Sequence, residues 1–188
     1  MALTRFHLIT HWDLPAPQLA VWDALCAVER WPSGWRAVER VEVIEPGSPD
    51  GIGAYRRLTW RTALPYRITF AMRTLRVEKP SLIEGRADGE LTGTGRWTLT
   101  TAEDTGTHVR YDWTVEVMRP WMRLLAPLAR PVFAWNHGVV MAWGRQGLEL
   151  HLAHVLGKPV STPSLSQGRA SVTSGGTPGP DRSPAPES

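Results

Sequence analysis

The chain has 188 residues, 42% of them hydrophobic and 21% charged, which suits one ordinary domain with a real core. Its net charge of +3 is carried almost wholly by arginine, and acidic residues alternate with it at Glu39, Arg40 and Glu42, so no basic block marks a nucleic-acid surface. Cys26 is the only cysteine, which excludes an internal disulfide, and no stretch nears the ~20 apolar residues of a membrane span.

The first residues lack the charged start and apolar run of a signal peptide, so a cytoplasmic location is expected. Ten Trp stand against three Phe and three Tyr, and rings of that size are costly to leave exposed. Several of them must line a core or a cavity.

Residues 4–12 read as a first strand, with Phe6 and Leu8 on one side and His7, Ile9 and His11 on the other. Pro17 suits the first position of a helix, which continues through Leu19, Val21, Trp22, Leu25 and Val28 at helical spacing. Cys26 falls on its apolar side, where a small buried hydrophobe is expected rather than a nucleophile. Trp31-Pro32-Ser33-Gly34-Trp35 ends this helix and makes a second short turn or helix.

Strands fill 37–118. Val41 and Val43 share a face in the first of them, and Ala54, Arg56, Leu58 and Trp60 in the next. Tyr66, Ile68, Phe70 and Met72 then share a face, after which the apolar phase jumps to Leu75 and Val77, as a β-bulge requires. A turn at Lys79-Pro80-Ser81 leads to a short strand at 82–87. Leu91, Gly93, Gly95, Trp97 and Leu99 form one face of the following strand, its glycines leaving space or allowing sharp curvature. The last strand alternates cleanly through Val109, Tyr111, Trp113, Val115 and Val117.

Residues 120–128 read as a short helix, and Pro131 opens a long one that runs to about 156. Phe133, Asn136, His137, Val140, Gly144, Gly147, Leu148, His151 and Val155 fall on its inward face. Interior glycines weaken a helix by roughly 1 kcal/mol each, so Gly144 and Gly147 imply either close packing or room for a ligand. From 158 the composition turns to Ser, Thr, Pro and Gly, and 158–188 is expected to be a disordered tail beyond one domain at 1–157.

A long antiparallel sheet with one apolar face and a single late helix gives an α+β fold, because the helix covers that face by lying across it. A cavity follows between them. Trp60, Tyr66, Phe70, Trp97, Tyr111, Trp113, Val140 and Gly144 are its expected lining, with Asn136 and His137 as the hydrogen-bonding end. The same rings packed tightly together would be a core. Asn136 and His137 would then be satisfied by the sheet, through Tyr111 or a backbone carbonyl. His151 and His154 have a zinc-compatible spacing but no accompanying ligand pattern, so no metal and no cofactor are expected.

The chain resembles the START-like helix-grip superfamily (SRPBCC) in its polyketide cyclase/dehydrase and lipid-transport branch. The resemblance rests on Trp12-Asp13-Leu14-Pro15-Ala16-Pro17 with Val21-Trp22-Asp23-Ala24-Leu25, and on Trp31-Pro32-Ser33-Gly34-Trp35. Leu64-Pro65-Tyr66, Gly89-Glu90-Leu91-Thr92-Gly93, Trp135-Asn136-His137 with Val140-Met141, and Gly144-Arg145-Gln146-Gly147-Leu148 complete it, over residues 3–156. It implies a curved seven-stranded sheet wrapped around a long C-terminal helix, with two short helices after the first strand.

Three functions fit these readings. The first is binding of a small hydrophobic, lipid-, polyketide- or aromatic-like ligand in the cavity. The second is a cyclase or dehydratase with His137 as the acid/base, favoured by a buried His of lowered pKa with access to solvent. The third is a protein-docking module that uses the sheet face or an exposed patch of Trp121, Met122 and Leu125, although a lid over the cavity is the preferred role for those three residues.

Overall fold

Alternation along the chain resolves into seven strands, and the structure, a computed structural model, describes residues 5–118 and 120–157, with side chains throughout except at 104 and 120–129. In chain order the elements are β1 (Arg5–Leu14), α1 (Gln18–Cys26), α2 (Trp31–Gly34), β2 (Val38–Glu45), β3 (Tyr55–Arg61), β4 (Arg67–Glu78), β5 (Leu82–Gly89), β6 (Leu91–Thr101), β7 (Thr107–Val117) and α3 (Pro120–Val155). The strands form one antiparallel sheet in the order β1-β7-β6-β5-β4-β3-β2. This is the α+β helix-grip arrangement: a curved sheet, two short helices after the first strand, and a long last helix packed on β1, α1 and α2. The expected tail at 158–188 lies outside the described residues.

Register decides which side chains face α3. Leu8 pairs with Trp113, Trp113 with Gly95, and Gly95 with Gly85, so these residues share the concave face. Phe70 pairs with Leu58, and Arg56 with Met72 and Val43, extending that face to the β2 edge. The expected bulge in β4 lies between Thr74 and Arg76. It restores Val77 to the concave side opposite Ile83, while Leu75 itself is turned out and exposed.

Gln18 locks α1 to the sheet: its side-chain amide donates to the Leu99 carbonyl at 2.9 Å and accepts from the Thr101 hydroxyl at 3.0 Å. Pro17 occupies the N-cap rather than the first helical turn. Val21, Trp22 and Leu25 are buried, but Cys26 and Leu19 are exposed, so the expected burial of Cys26 is wrong. The helix ends at Cys26 because the chain tightens there into the 3-10 turn Val28–Arg30, which rotates the apolar stripe away from that position.

A second correction concerns α3, which is one helix of 36 residues rather than a short helix followed by a long one. A proline removes one intrahelical hydrogen bond and can kink a helix, but it does not oblige the chain to change direction. On its inward face Ala134, Asn136, Met141, Gly144, Gly147 and Leu152 are buried, whereas His151 and Val155 are exposed. The real stripe therefore drifts from the expected one towards the C-terminus.

The two helical glycines serve close packing. A Cβ on Gly144 would overlap the Trp35 indole, and one on Gly147 would overlap the Gly34 carbonyl. Replacing Gly147 by Ala should therefore destabilise the fold by about 1–3 kcal/mol in denaturant unfolding, although helix propensity alone favours Ala by about 1 kcal/mol. A neutral or stabilised Gly147→Ala variant would show that α2 and α3 are not in contact there.

Candidate functional site

Two sizeable chambers lie between the concave face and the helices. The inner one, of about 130 Å³, is bounded by β1, β7, β4, β3 and the middle of α3. Trp60, Tyr66, Phe70, Tyr111, Trp113, Asn136, His137 and Val140 line it. Phe6, Leu8, Thr62, Leu91, Val115, Phe133 and Met141 line it too. The alternation of Phe6 with Leu8 and of Val115 with Trp113 carried that signal, since residues of one strand face share one environment.

The outer cavity is larger, about 430 Å³, and lies under α1 and α2 against β3 to β6. Trp97 lines this chamber rather than the inner one, together with Leu58, Met72, Val77 and Ile83. Trp60, Phe70, Tyr111 and Met141 border both chambers and form the partition between them. Gly144 borders neither chamber; with Trp35, Gly147 and Leu148 it lines a smaller cavity of about 50 Å³ between α1, α2 and α3.

The rings are packed and yet leave space. Trp97 stacks on Tyr111 at 4.0 Å between centroids, Tyr111 on Trp113 at 5.7 Å, and Trp60 on Phe70 at 6.3 Å. Gly85 and Gly95, opposite each other on β5 and β6, remove two side chains from the floor of the outer chamber. The vacancy at Gly95 is taken by neighbours: a Cβ there would stand 2.6 Å from the Tyr111 hydroxyl. Tyr111 is held neutral, its pKa raised by burial.

The two watched polar residues are bound to the sheet side of the cavity. The Asn136 Oδ1 accepts from the Ala63 backbone N–H at 2.8 Å, tying α3 to the loop after β3. His137 Nε2 meets the Thr10 hydroxyl of β1 at 3.2 Å, so its partner is Thr10 rather than Tyr111. Burial pushes the His137 pKa down from 6.5 to about 4, which keeps the ring neutral at physiological pH. By contrast, the buried Trp60 indole N–H has no partner among the described residues, and Trp60 stands in the partition between the chambers.

Elsewhere the chemistry is sparse. Desolvation, reinforced by Asp23, raises the Cys26 thiol to about 11, which suppresses its thiolate. Among the described residues no group of three or more His, Cys, Asp or Glu is placed to hold a metal ion, and no helix is long and apolar enough to cross a membrane. The side chains of Trp121, Met122 and Leu125 lie outside those described.

The titration of His137 has a stability consequence. An unfolded chain takes up this proton near pH 6.5 and the folded one only near 4, so stability is full above 6.5 and falls as pH drops through that window. The loss amounts to about 3 kcal/mol by pH 4. Denaturant midpoints measured across this range should show that slope in the parent protein and lose most of it in His137→Gln, which keeps a partner for Thr10. An unchanged slope in the variant would assign the acid sensitivity to the carboxylates.

Comparison with known proteins agrees with this geometry. No curated protein sequence matches the chain. The Zhui aromatase/cyclase from Streptomyces sp. R1128 superposes with a TM-score of 0.64 at 18% identity, over 81% of this chain and 96% of that one. A START superfamily protein from Mycobacterium smegmatis gives 0.66 at 13% identity, over 80% and 99%. The di-domain aromatase/cyclase BexL, from the BE-7585A biosynthetic pathway, gives 0.63 at 19% identity over 80% of this chain, which spans only 50% of that protein. At these identities the superpositions establish the fold. The family model for polyketide cyclase / dehydrase and lipid transport matches residues 14–138, and the chain belongs to that family.

Proposed function

We propose that this protein binds a small, largely apolar ligand carrying ring or chain carbons in the inner chamber and across the aromatic partition. One observation carries the reading: a cavity walled by aromatic rings keeps a buried donor, Trp60 Nε1, without a hydrogen-bond partner among the described residues. An unmade hydrogen bond of a buried group costs about 1–3 kcal/mol, and a ligand oxygen at the partition would recover it. Size is compatible. A dry cavity of about 150 Å³ holds one benzene ring, so the inner chamber of about 130 Å³ suits a single ring and the outer one of about 430 Å³ the rest of a polycyclic or lipid-like body. Lipid-, polyketide- and aromatic-like molecules all fall in this class. A reducing, cytoplasmic setting belongs to the same reading, supported by the exposed free thiol of Cys26.

The alternative, a cyclase or dehydratase with His137 moving protons, has less support. The lowered pKa that this reading calls for is found, but at about 4 it lies well below the neutral range, so the ring is a weak base and carries almost no proton to donate at about pH 7. Its Nε2 is also engaged by Thr10.

Native mass spectrometry before and after organic extraction tests carriage directly, a discrete mass lost on extraction being the expected result. Tryptophan quenching by 2-naphthol and naphthalene tests the site. Trp60→Phe should weaken 2-naphthol about fivefold, the worth of about 1 kcal/mol for one hydrogen bond, and leave naphthalene within twofold. If neither probe quenches at saturating concentration and the protein is apo from every host, the binding reading is wrong.

A further inference from the structure

The inward positions of the seven strands can be read off the pairing registers, and they are apolar, glycine or threonine with one exception. Arg56 of β3, paired with Val43 and Met72, is the only strand residue on the concave face that bears a formal charge among the described residues. It lines the outer chamber, and its side chain is only 17% exposed. An arginine placed there is costly unless its charge is matched.

The match is incomplete. Arg56 Nε donates to Glu29 Oε1 at 2.7 Å, and Glu29 is its one partner among the described residues. A guanidinium carries five N–H donors in a planar fork, so this contact leaves most of the fork unused. Glu29 reaches in from the 3-10 turn after α1 and is itself 45% exposed, so it stands at the rim and can be displaced into water. The chamber wall sets the apolar Leu58, Met72 and Val77 beside the polar or charged Ser48, Asp50, Arg73 and Thr74, of which Arg73 is engaged by Glu45 and Asp50 by Ser48.

We infer that the outer chamber is a site for the anionic end of an amphiphile, a carboxylate or an equivalent planar oxyanion bound by the Arg56 fork, with Glu29 as a built-in competitor that holds the arginine when the chamber is empty. The inference rests on the proposed ligand-binding function and narrows it. The ligand is an apolar body with one acidic terminus rather than a neutral hydrocarbon. Glu29 then sets selectivity. A neutral ligand leaves the Glu29–Arg56 pair in place, while an anion must outcompete it and gains bidentate, charge-assisted hydrogen bonds in a partly desolvated site.

The test compares 2-naphthoic acid with its methyl ester by tryptophan quenching at neutral pH, where the acid is ionised. Arg56→Gln should lower the acid-to-ester affinity ratio about tenfold, and Arg56→Lys should fall between, since an ammonium lacks the fork. Glu29→Gln should raise the same ratio several-fold by removing the competitor. Acid and ester responding in parallel, or a ratio unmoved by Glu29→Gln, would overturn the assignment of Arg56. If Arg56→Gln fails to fold, the lysine and Glu29→Gln variants still decide. Ester binding with an indifferent acid defeats this inference alone; absence of binding by both probes defeats the cavity reading with it.

Discussion

Trp35 enters the gap between the sheet and α3 where Gly144 leaves the helix without a Cβ, and its Nε1 donates to the Val140 carbonyl at 2.9 Å. The same indole touches Trp12, Trp31, Trp60 and Trp97, with ring centroids 5.0 to 6.4 Å apart. One side chain therefore fixes three things together: the height of α3 above the strands, the position of α2, and the edge of the aromatic wall. A second close approach, Gly147 on the Gly34 backbone, prevents the helix from rolling about that contact. Both approaches need glycine, which explains why a helix tolerates two of them where propensity argues against it.

The cavity is a consequence of this clamp. The C-terminal half of α3 is drawn down onto Trp35, Trp12 and α1, and there the core closes around Leu99, Val109 and Leu152. Further towards its N-terminus the helix is held by two polar ties, Asn136 to Ala63 and His137 to Thr10, and by the edge-to-face contact of Phe133 on Phe6. A second cluster around Phe6, Phe70, Trp113 and Val117 forms beneath it, and Trp60 and Tyr111 pack against both clusters. Space remains where the two packing regimes meet. The polar ties act there as spacers, because a buried amide or imidazole that has found its partner resists collapse of the wall onto it.

Most of the fold was legible because its signals are local. Strand alternation, the bulge before Val77, the Trp31 to Trp35 turn and the inward ring set all follow from periods of two and 3.6 residues. The failures share a cause, which is that they depend on tertiary geometry. Cys26 lies on the apolar side of an ideal helix, but α1 ends there and the residue is exposed. Gly144 reads in the sequence as a position for close packing or for a ligand, and only the location of Trp35 shows which atoms approach it. Arg56 stood in plain view between Ala54 and Leu58 on an otherwise inward face. Its importance emerged only when the registers showed how few charges share that face. The partners of Asn136 and His137, 73 and 127 residues away in sequence, leave no local trace at all.

The distribution of polarity orders the site from one end to the other. At the inner end the available groups are neutral: an imidazole kept unprotonated by burial, an amide already bonded, and a phenol whose ionisation burial suppresses. None of these can compensate a ligand charge, so an ion driven into the inner chamber would bear its full desolvation cost. At the partition stands one neutral donor, Trp60 Nε1, suited to an uncharged oxygen. The one cation that the strand registers place on the concave face among the described residues, Arg56, lies in the outer chamber, beside an acidic side chain that reaches water. An amphiphile therefore has one favourable orientation, apolar end innermost and acidic end at Arg56, and the reverse orientation is opposed at both ends. Selectivity of this kind needs no large number of contacts: it follows from one charged strand position, Arg56, on a concave face that is otherwise uncharged among the described residues.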